Sequence, residues 1–178
     1  MVAVLTSRKA PTQAEFHAAI SSRSDRWYSA CLKITRNPDL AQDAVQDALL
    51  SAWNKRHQFD QSARLDTWIH RIAINAALQL LRKNRLGRIE PLADEAEGPA
   101  PTPENIHADE QLGQTLAAAL THLSEIERVC FVLKHLEQWR LAEIAEHIDA
   151  NIGTVKQAVF RAVRKLRTHM ASLQGEAL

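Results

Sequence analysis

The chain has 178 residues, of which 46% are hydrophobic, and its net charge is +1. This length fits one domain or two small ones, with enough apolar residues for compact cores. No stretch approaches the roughly 18 consecutive apolar residues of a membrane span. Residues 1–10 carry Arg8 and Lys9 without a long apolar run, so we expect no secretory signal. We therefore expect a soluble, cytoplasmic protein without direct membrane insertion.

The charges fall into blocks that the total conceals. Residues 1–90 contain fourteen Lys/Arg and eight Asp/Glu, whereas residues 91–112 contain six acids and no Lys/Arg. Residues 113–178 contain eight Lys/Arg, and five of these lie between positions 156 and 167, where no acid occurs. The pattern is two basic regions separated by an acidic segment, which is typical of proteins that meet a polyanion.

Apolar residues recur at helical spacing, and no segment reads as a strand pair, so we predict an all-α fold. Residues 1–12 are expected to form a frayed end. Helices at 13–20 and 24–36 follow, and Asn37-Pro38 ends the second because proline disfavours helical geometry in the residue before it.

A third helix, predicted at 39–55, is expected to be amphipathic. Its inward side is predicted to carry Leu40, Ala44, Leu49 or Leu50, and Trp53. Its outward side then carries an acidic and polar strip of Asp43, Gln46, Asp47 and Ser51. On pattern alone, such a strip is an ordinary solvated face.

A polar loop at 57–66 precedes a helix at 67–88 that combines an apolar face with a basic end. The loop has one aromatic residue, Phe59, and Ser62 can cap the helix that follows. Trp68 is expected in the core, and the amide of Asn75 suits the edge of a base. The basic residues at the end are Arg82, Lys83, Arg85 and Arg88. They favour the helix dipole in any case, but they can also meet a polyanion.

The composition changes after the first domain, predicted at 1–88. Residues 89–111 are acidic, with four prolines between positions 91 and 103, and are predicted to form an extended linker. The second domain, at 112–178, is predicted to hold a helix at about 109–120, one that begins at a Ser124–Glu127 capping box, and one at 141–148. Asn151 can cap a last helix to about residue 170. A tight turn between two helices, the second of them basic, predicts a helix-turn-helix.

No catalytic or metal-binding motif is present. The eight histidines are scattered, and HExxH, CxxC and glycine-rich phosphate loops do not occur. We therefore expect no enzymatic activity, no cofactor and no metal. Cys31 and Cys130 have apolar neighbours and are expected to be buried free thiols.

Three segments carry a family resemblance: AQDAVQDALLSAW (41–53), TWIHRIAINAALQLLRK (67–83) and LAEIAEHIDANIGTVKQAVFRAVRKLR (141–167). The first two resemble parts of region two of the extracytoplasmic-function sigma factors of bacterial RNA polymerase, and the third resembles region four. The resemblance implies an N-terminal helical bundle and a C-terminal helix-turn-helix joined by an acidic, proline-containing linker. It also implies an alternative sigma factor that directs promoter-specific transcription initiation.

The resemblance further implies a role for each surface. Docking on the clamp coiled coil of the largest polymerase subunit is implied for Asp43, Gln46 and Asp47. Capture of a base flipped from the minus-ten element is implied for Phe59, Gln61, Ser62, Ala63 and Asn75, with Arg82 and Lys83 on the backbone. Recognition of the minus-thirty-five duplex is implied for Thr154, Lys156, Gln157, Phe160, Arg161 and Arg164. The implied partners are core RNA polymerase (clamp and flap), promoter DNA and an anti-sigma factor.

The chain departs from the family pattern at several positions. Gln61 and Ser62 replace the usual Gly-Asp, Gln138 and Arg140 replace a glycine and a capping Ser/Thr, and Asp149 replaces the turn glycine. We expect Asp149 to tolerate left-handed geometry, so that the turn survives. Ala158 stands where many members have arginine, which implies one DNA contact fewer. Phe160 can be a core residue or a residue that contacts a thymine methyl group.

Two other functions stay open at this point. A helix-turn-helix repressor or activator would use only the C-terminal domain and would not bind core polymerase. An adaptor that binds another helical regulator would give no promoter-dependent transcription. A pull-down with core polymerase and a reconstituted transcription assay separate these functions from that of a sigma factor.

Overall fold

The structure, a computed structural model, describes the backbone of residues 9–87 and 108–175. These residues form seven α-helices and no strand, which confirms the all-α prediction. The chain divides into two compact units, Met1–Gly87 and Arg88–Leu178, each described by itself below. Most of the predicted frayed end and residues 89–107 of the predicted linker lie outside the described residues.

The first unit begins with helix α1, Gln13–Thr35. The prediction of two helices in this region was wrong, because the serines between them weaken a helix without breaking it. The segment contains neither proline nor glycine, and the Ser22 hydroxyl donates to the Ala19 carbonyl at 3.3 Å. A capping box starts α1: the backbone N–H of Thr12 donates to the Glu15 carboxylate at 2.7 Å, which lowers the pKa of that carboxyl.

Helix α2, Pro38–Asn54, and helix α3, Leu65–Gly87, complete the first unit. Arg36 ends α1 in the left-handed conformation, and the Asn37 side chain caps α2 by accepting from Leu40 N–H at 3.1 Å and Asp39 N–H at 2.9 Å. A short 3₁₀ turn, Arg56–Gln58, follows α2. The three helices pack against one another in all three pairs.

Alanines form the buried face of α2. They are Ala41, Ala44, Ala48 and Ala52, each no more than 1% exposed. Of the predicted alternatives Leu49 and Leu50, Leu49 is the half-buried one, whereas the inward position of Trp53 was wrong, because 37% of its surface is exposed. Small side chains let α2 lie close to its neighbours, and the large core residues come from α1 and α3, among them Trp27, Ile34 and Ile69.

The second unit contains α4 (Ala108–Leu120), α5 (Glu125–Phe131), α6 (Leu141–His147) and α7 (Ile152–Gly175). Helix α4 begins inside the span predicted as linker. Helix α5 continues through a π-helical turn, Val132–Leu136, so the predicted helix end at Leu136 is confirmed. Helix α7 packs against α4, α5 and α6 and holds the unit together.

Candidate nucleic-acid and protein interfaces

The outward face of α2 carries the predicted acidic strip. Asp43, Gln46 and Asp47 are exposed, on the side opposite the buried alanines, while Ser51 is half-buried. Leu50, 66% exposed, continues this face one turn beyond Gln46 and Asp47. Periodicity did not predict this apolar extension, since leucine at helical spacing usually indicates a core residue.

Trp53 lies at the end of the same face, with 37% of its surface exposed. Its ring meets the edge of Phe16 at a centroid distance of 5.2 Å, and the Arg56 guanidinium stacks over it at 4.3 Å. The indole is therefore held in place by α1 and the 3₁₀ turn while one side stays open to solvent. The complete face combines two carboxylates, an amide and two large apolar groups.

The loop before α3 is organised by a residue that sequence reasoning missed. The carboxylate of Asp60 accepts hydrogen bonds from the Ser62 N–H at 2.9 Å and from the Ser62 hydroxyl at 2.7 Å. The prediction that Ser62 caps α3 was therefore wrong, because Asp60 engages the hydroxyl and α3 begins only at Leu65. Gln61 adopts a left-handed φ of 60° and donates to the Lys9 carbonyl at 3.3 Å.

Phe59 closes the base of this loop. It is only 8% exposed, and its ring lies 5.2 Å from that of the half-buried Trp68. Gln61, Ser62 and Ala63, which follow Phe59 in the chain, are exposed. The aromatic pair therefore forms an apolar floor, and the polar groups that could read a base lie in the exposed loop.

Asn75 lies two helical turns beyond Trp68 on the same stripe of α3, about 10 Å along the axis. Its side-chain oxygen Oδ1 is buried and has no hydrogen-bond partner among the described residues. The same stripe continues through Gln79, which the sequence did not single out, to the exposed Arg82 and its neighbour Lys83. One face of α3 thus runs from the loop to the basic end of the helix.

The second unit contains the predicted helical hairpin. Asp149 has a φ of 55° in the turn between α6 and α7, as expected from its tolerance of left-handed geometry. Asn151 caps α7: its Oδ1 accepts from the Thr154 N–H at 2.8 Å and from the Thr154 hydroxyl at 3.2 Å. Thr154 is half-buried and takes part in the cap, whereas Lys156 and Gln157, which follow it on α7, are exposed.

The two sides of α7 differ sharply. Its buried stripe consists of Val155, Ala158, Ala162 and Leu166. Its exposed residues include Lys156, Gln157, Phe160, Arg161, Arg164 and Arg167. Ala158, where the resemblance implies one DNA contact fewer, is 0% exposed and belongs to this buried stripe. Phe160 is 68% exposed, which excludes a core role within this unit, and it shares a shallow depression with Lys156, Gln157 and Arg161.

One cation of α7 has a structural partner. Lys165 Nζ lies 2.8 Å from the carboxylate of Glu127, which is 3% exposed and also accepts from the Ser124 N–H at 3.0 Å. Burial raises the pKa of Glu127, but the hydrogen bonds from Lys165 and Ser124 outweigh it, so the net pKa is lowered. The predicted Ser124–Glu127 cap is confirmed, and Lys165 fastens α7 to α5.

Three departures from the family pattern share one backbone conformation. Gln61, Gln138 and Asp149 have φ values of 60°, 59° and 55°. At each of these positions the family that the sequence resembles usually has glycine. The backbone therefore keeps the left-handed conformation although a residue other than glycine stands there. At the start of α6, the Arg140 N–H donates to the Glu143 carboxylate at 3.0 Å, which partly replaces a Ser/Thr cap.

The two thiols and the His147 imidazole are buried or contact other residues of their own unit. Cys31 and Cys130 are buried free thiols, as predicted, and burial raises the pKa of Cys130 to about 12. His147 lies 2.8 Å from the Glu143 carbonyl and contacts Trp139.

Among the described residues, no cluster of three or more His, Cys, Asp or Glu could hold a metal ion. None of the described helices combines the length and apolar content needed to cross a bilayer.

Comparison with known proteins gives the same order of domains. Residues 20–86 match the model of sigma-70 region 2, and residues 113–166 match that of sigma-70 region 4. The solved structure of the sigma factor RpoE bound to the anti-sigma factor NepR from Bartonella quintana covers 88% of this chain and 97% of its own, with a TM-score of 0.58 and 24% identity. That likeness shows a shared fold.

Curated relatives extend the match across most of the chain. The ECF sigma factor SigG of Mycobacterium tuberculosis is 32% identical over 162 residues, which cover 78% of this chain and 44% of SigG. The sigma-E factor of Escherichia coli is 32% identical over 132 residues, which cover 67% of this chain and 68% of that protein. The chain thus spans less than half the length of SigG. It belongs to the extracytoplasmic-function (ECF) family of RNA polymerase sigma factors.

Proposed function

We propose that this chain is an alternative sigma factor that binds core RNA polymerase and directs it to promoters. The observation that carries the proposal is that family membership coincides with three chemically distinct exposed faces, on α2, on the loop and α3, and on α7. Each face lies opposite a well-packed core stripe, so its polar residues are available to a partner.

The α2 face is the proposed docking surface for the clamp coiled coil of the largest polymerase subunit. Asp43 and Asp47 can pair with basic side chains across an interface, and charge-assisted hydrogen bonds of this kind also fix orientation. Leu50 and Trp53 add an apolar area beside the acids, which is typical of the centre of a protein interface.

The loop and α3 are the proposed capture site for one base of the non-template minus-ten strand. Exposed Gln61, Ser62 and Ala63 would surround the base above the Phe59 floor. Asn75 Oδ1 is a buried acceptor without a partner, which costs about 1–3 kcal/mol in the free protein. If the amide turns toward the loop, a base with an exocyclic amino group would satisfy it and so help offset unstacking, and Arg82 and Lys83 would contact the strand backbone.

Helix α7 is the proposed reader of the minus-thirty-five duplex. Lys156 and Gln157 are exposed near its N-terminal end, where a recognition helix meets base edges, and they suit guanine and adenine. The exposed ring of Phe160 can contact a thymine methyl group. Arg161 and Arg164 would hold phosphates, which position the helix without specifying sequence, while Thr154 would act through the helix cap.

Control by an anti-sigma factor is part of the proposal, and the related RpoE in complex with NepR supports it. We further propose that the protein works in the cytoplasm, contacts the flap as well as the clamp, and acts without enzymatic chemistry of its own.

Reconstitution with core polymerase tests the function. Core polymerase with the purified chain should start transcription at defined sites on a genomic DNA library, whereas core polymerase without it should not. Binding of promoter DNA without binding of core polymerase would instead indicate a repressor or activator. Binding of core polymerase without site-specific initiation would contradict the proposal.

A further inference from the structure

A groove of about 620 Å³ lies beside the second half of α7. Its lining residues are His122, Arg161, Arg164, Lys165, Thr168 and His169. His122 belongs to the turn between α4 and α5, and the other five belong to α7. The proposed function uses two of the arginines and gives no role to the histidines.

The groove is a collection of N–H donors with a positive charge. The imidazole rings of His122 and His169 lie 4.1 Å apart between centroids, and each ring carries an N–H. Lys165 is neutralised by Glu127, so the net positive charge comes from Arg161 and Arg164. The described lining residues include no carboxylate.

This set of donors suits a tetrahedral oxyanion. A phosphate presents several acceptor oxygens, and arginine binds them with charge-assisted hydrogen bonds. Two adjacent imidazoles supply further donors from a different direction, because His122 approaches from outside α7. The Thr168 hydroxyl already donates to the Arg164 carbonyl at 3.1 Å, so it contributes little.

We propose that this groove binds a phosphate group, held by Arg161 and Arg164 and by ring N–H groups of His122 and His169. Where the phosphate belongs to DNA, the inference rests on the proposed function. Arg161 also lines the depression at Lys156, so the groove continues the base-reading surface. Arg164 lies about 10 Å along the helix from Gln157, which is comparable to the width of the DNA major groove, about 12 Å. With Gln157 at the base edges, the protein groove would therefore lie near the phosphates of a DNA strand that borders the major groove.

A free phosphorylated molecule would use the same groups, and titration of the 178-residue chain distinguishes the two sources. The imidazole signals of the histidines are followed by NMR while inorganic phosphate or a short mixed-sequence duplex is added. Both probes should shift the signals of His122 and His169 together. The signal of His135, an exposed histidine beside the Phe131 ring and not among the groove residues, should stay in place.

Substitutions then link the groove to duplex binding. His122→Phe and His169→Phe keep an aromatic ring but remove its N–H, so each should weaken duplex binding about fivefold. His122→Gln retains a donor and should restore most of the affinity. Arg164→Gln should lower the slope of log affinity against log salt by about 0.9, the value for one phosphate contact. His135→Phe is the matched control and should change neither quantity.

The outcomes are separable. If both probes shift the two rings and the Phe variants weaken duplex binding, the groove holds a DNA phosphate. If inorganic phosphate shifts them but duplex affinity is unchanged in the variants, the groove serves a free phosphorylated ligand. If neither probe shifts the rings, the proposal is overturned. The phosphate titration requires neither polymerase nor promoter, so its failure is distinct from a failure of the sigma-factor function.

Discussion

Helices α2 and α7 pack in similar ways but present opposite surfaces. Both bury a stripe of small or medium side chains, four alanines in α2 and two alanines with Val155 and Leu166 in α7. The outward side of α2 has acids followed by Leu50, whereas the outward side of α7 has lysine and arginines on either side of Phe160.

Packing and partner choice are therefore encoded on separate faces of these helices. Acids beside exposed apolar groups suit a protein surface, while arginines around one aromatic ring suit a phosphate backbone with bases between its strands. The units also differ inside. Helix α7 is fastened to α5 by a charge pair, whereas α2 meets its neighbours through alanines.

Removing the charge of Glu127 should have the largest effect on stability, because it breaks the charge pair that fastens α7 to α5 and that α2 lacks. Glu127→Gln should lower the free energy of unfolding of the second unit by about 2 kcal/mol, because Lys165 loses its ion pair, although exposure of Lys165 limits the loss. Urea unfolding followed by circular dichroism measures it. Glu146→Gln, an exposed change on α6, is the control and should have no effect.

The same carboxyl makes the second unit sensitive to acid. The folded pKa of Glu127 lies below its ordinary value of 4.5, so its stabilisation is complete above that pH. It is lost as the pH falls through the folded pKa. Wild type and Glu127→Gln should therefore converge in stability at low pH, and an undiminished difference there would contradict the assigned cause.

Reversing one charge on α2 should act on polymerase and not on DNA. Asp43→Arg should weaken binding to core polymerase about tenfold, because it places a cation against the proposed basic partner. Duplex binding by the second unit should stay unchanged. Asp25→Arg on α1 makes the same change in net charge at another exposed position. Equal loss of polymerase affinity in both variants would show that the net charge of the chain, and not the α2 face, determines this affinity.

Truncating Asn75 should separate strand opening from closed-complex binding. Asn75→Ala should reduce open complex about fivefold, since the captured base loses one hydrogen bond. The free energy of unfolding should not fall, because Asn75 Oδ1 has no partner in the free protein. A fluorescent base analogue in the minus-ten element reports opening. A parallel loss of closed complex would assign Asn75 a structural role instead.

Relieving left-handed strain should give the smallest effect, and it should be similar in both units. Gln61→Gly and Gln138→Gly should each raise the free energy of unfolding by no more than about 0.5 kcal/mol. Glycine relieves the strain, but it adds entropy to the unfolded chain and removes the exposed hydrogen bonds of the two side chains to the Lys9 and His135 carbonyls. Asp149→Gly should gain less, because aspartate tolerates this conformation better. The urea unfolding midpoints of the three variants measure this order of stabilities. A midpoint of Gln138→Gly below that of the wild type would contradict the prediction.

Local signals made most helix boundaries predictable. Ser124 and Asn151 cap their helices as the sequence indicates, because a cap depends on residues within one turn. The continuity of α1 was not predictable in the same way, since weak helix formers such as serine are compatible with both a helix and a turn. Packing against α2 and α3 decides whether such a segment stays helical.

The candidate sites were predictable in residue type more than in arrangement. The outward positions of Asp43, Lys156 and Arg161 follow from helical periodicity. The burial of Ala158 and the exposure of Leu50 depend on how closely helices approach, which no single helix pattern contains. Asp60 was missed because its hydrogen bonds to Ser62 depend on the folded geometry of the loop.

Each unit contains one cysteine, and both thiols are 0% exposed. The Cys31 thiol donates to the Ala73 carbonyl at 3.5 Å, between α1 and α3, and Cys130 lies within α5. A thiol reagent can therefore reach either one only when its own unit opens. The two thiols are intrinsic reporters of local opening, so the labelling rates of Cys31 and Cys130 would show how often each unit opens, free or bound to a partner.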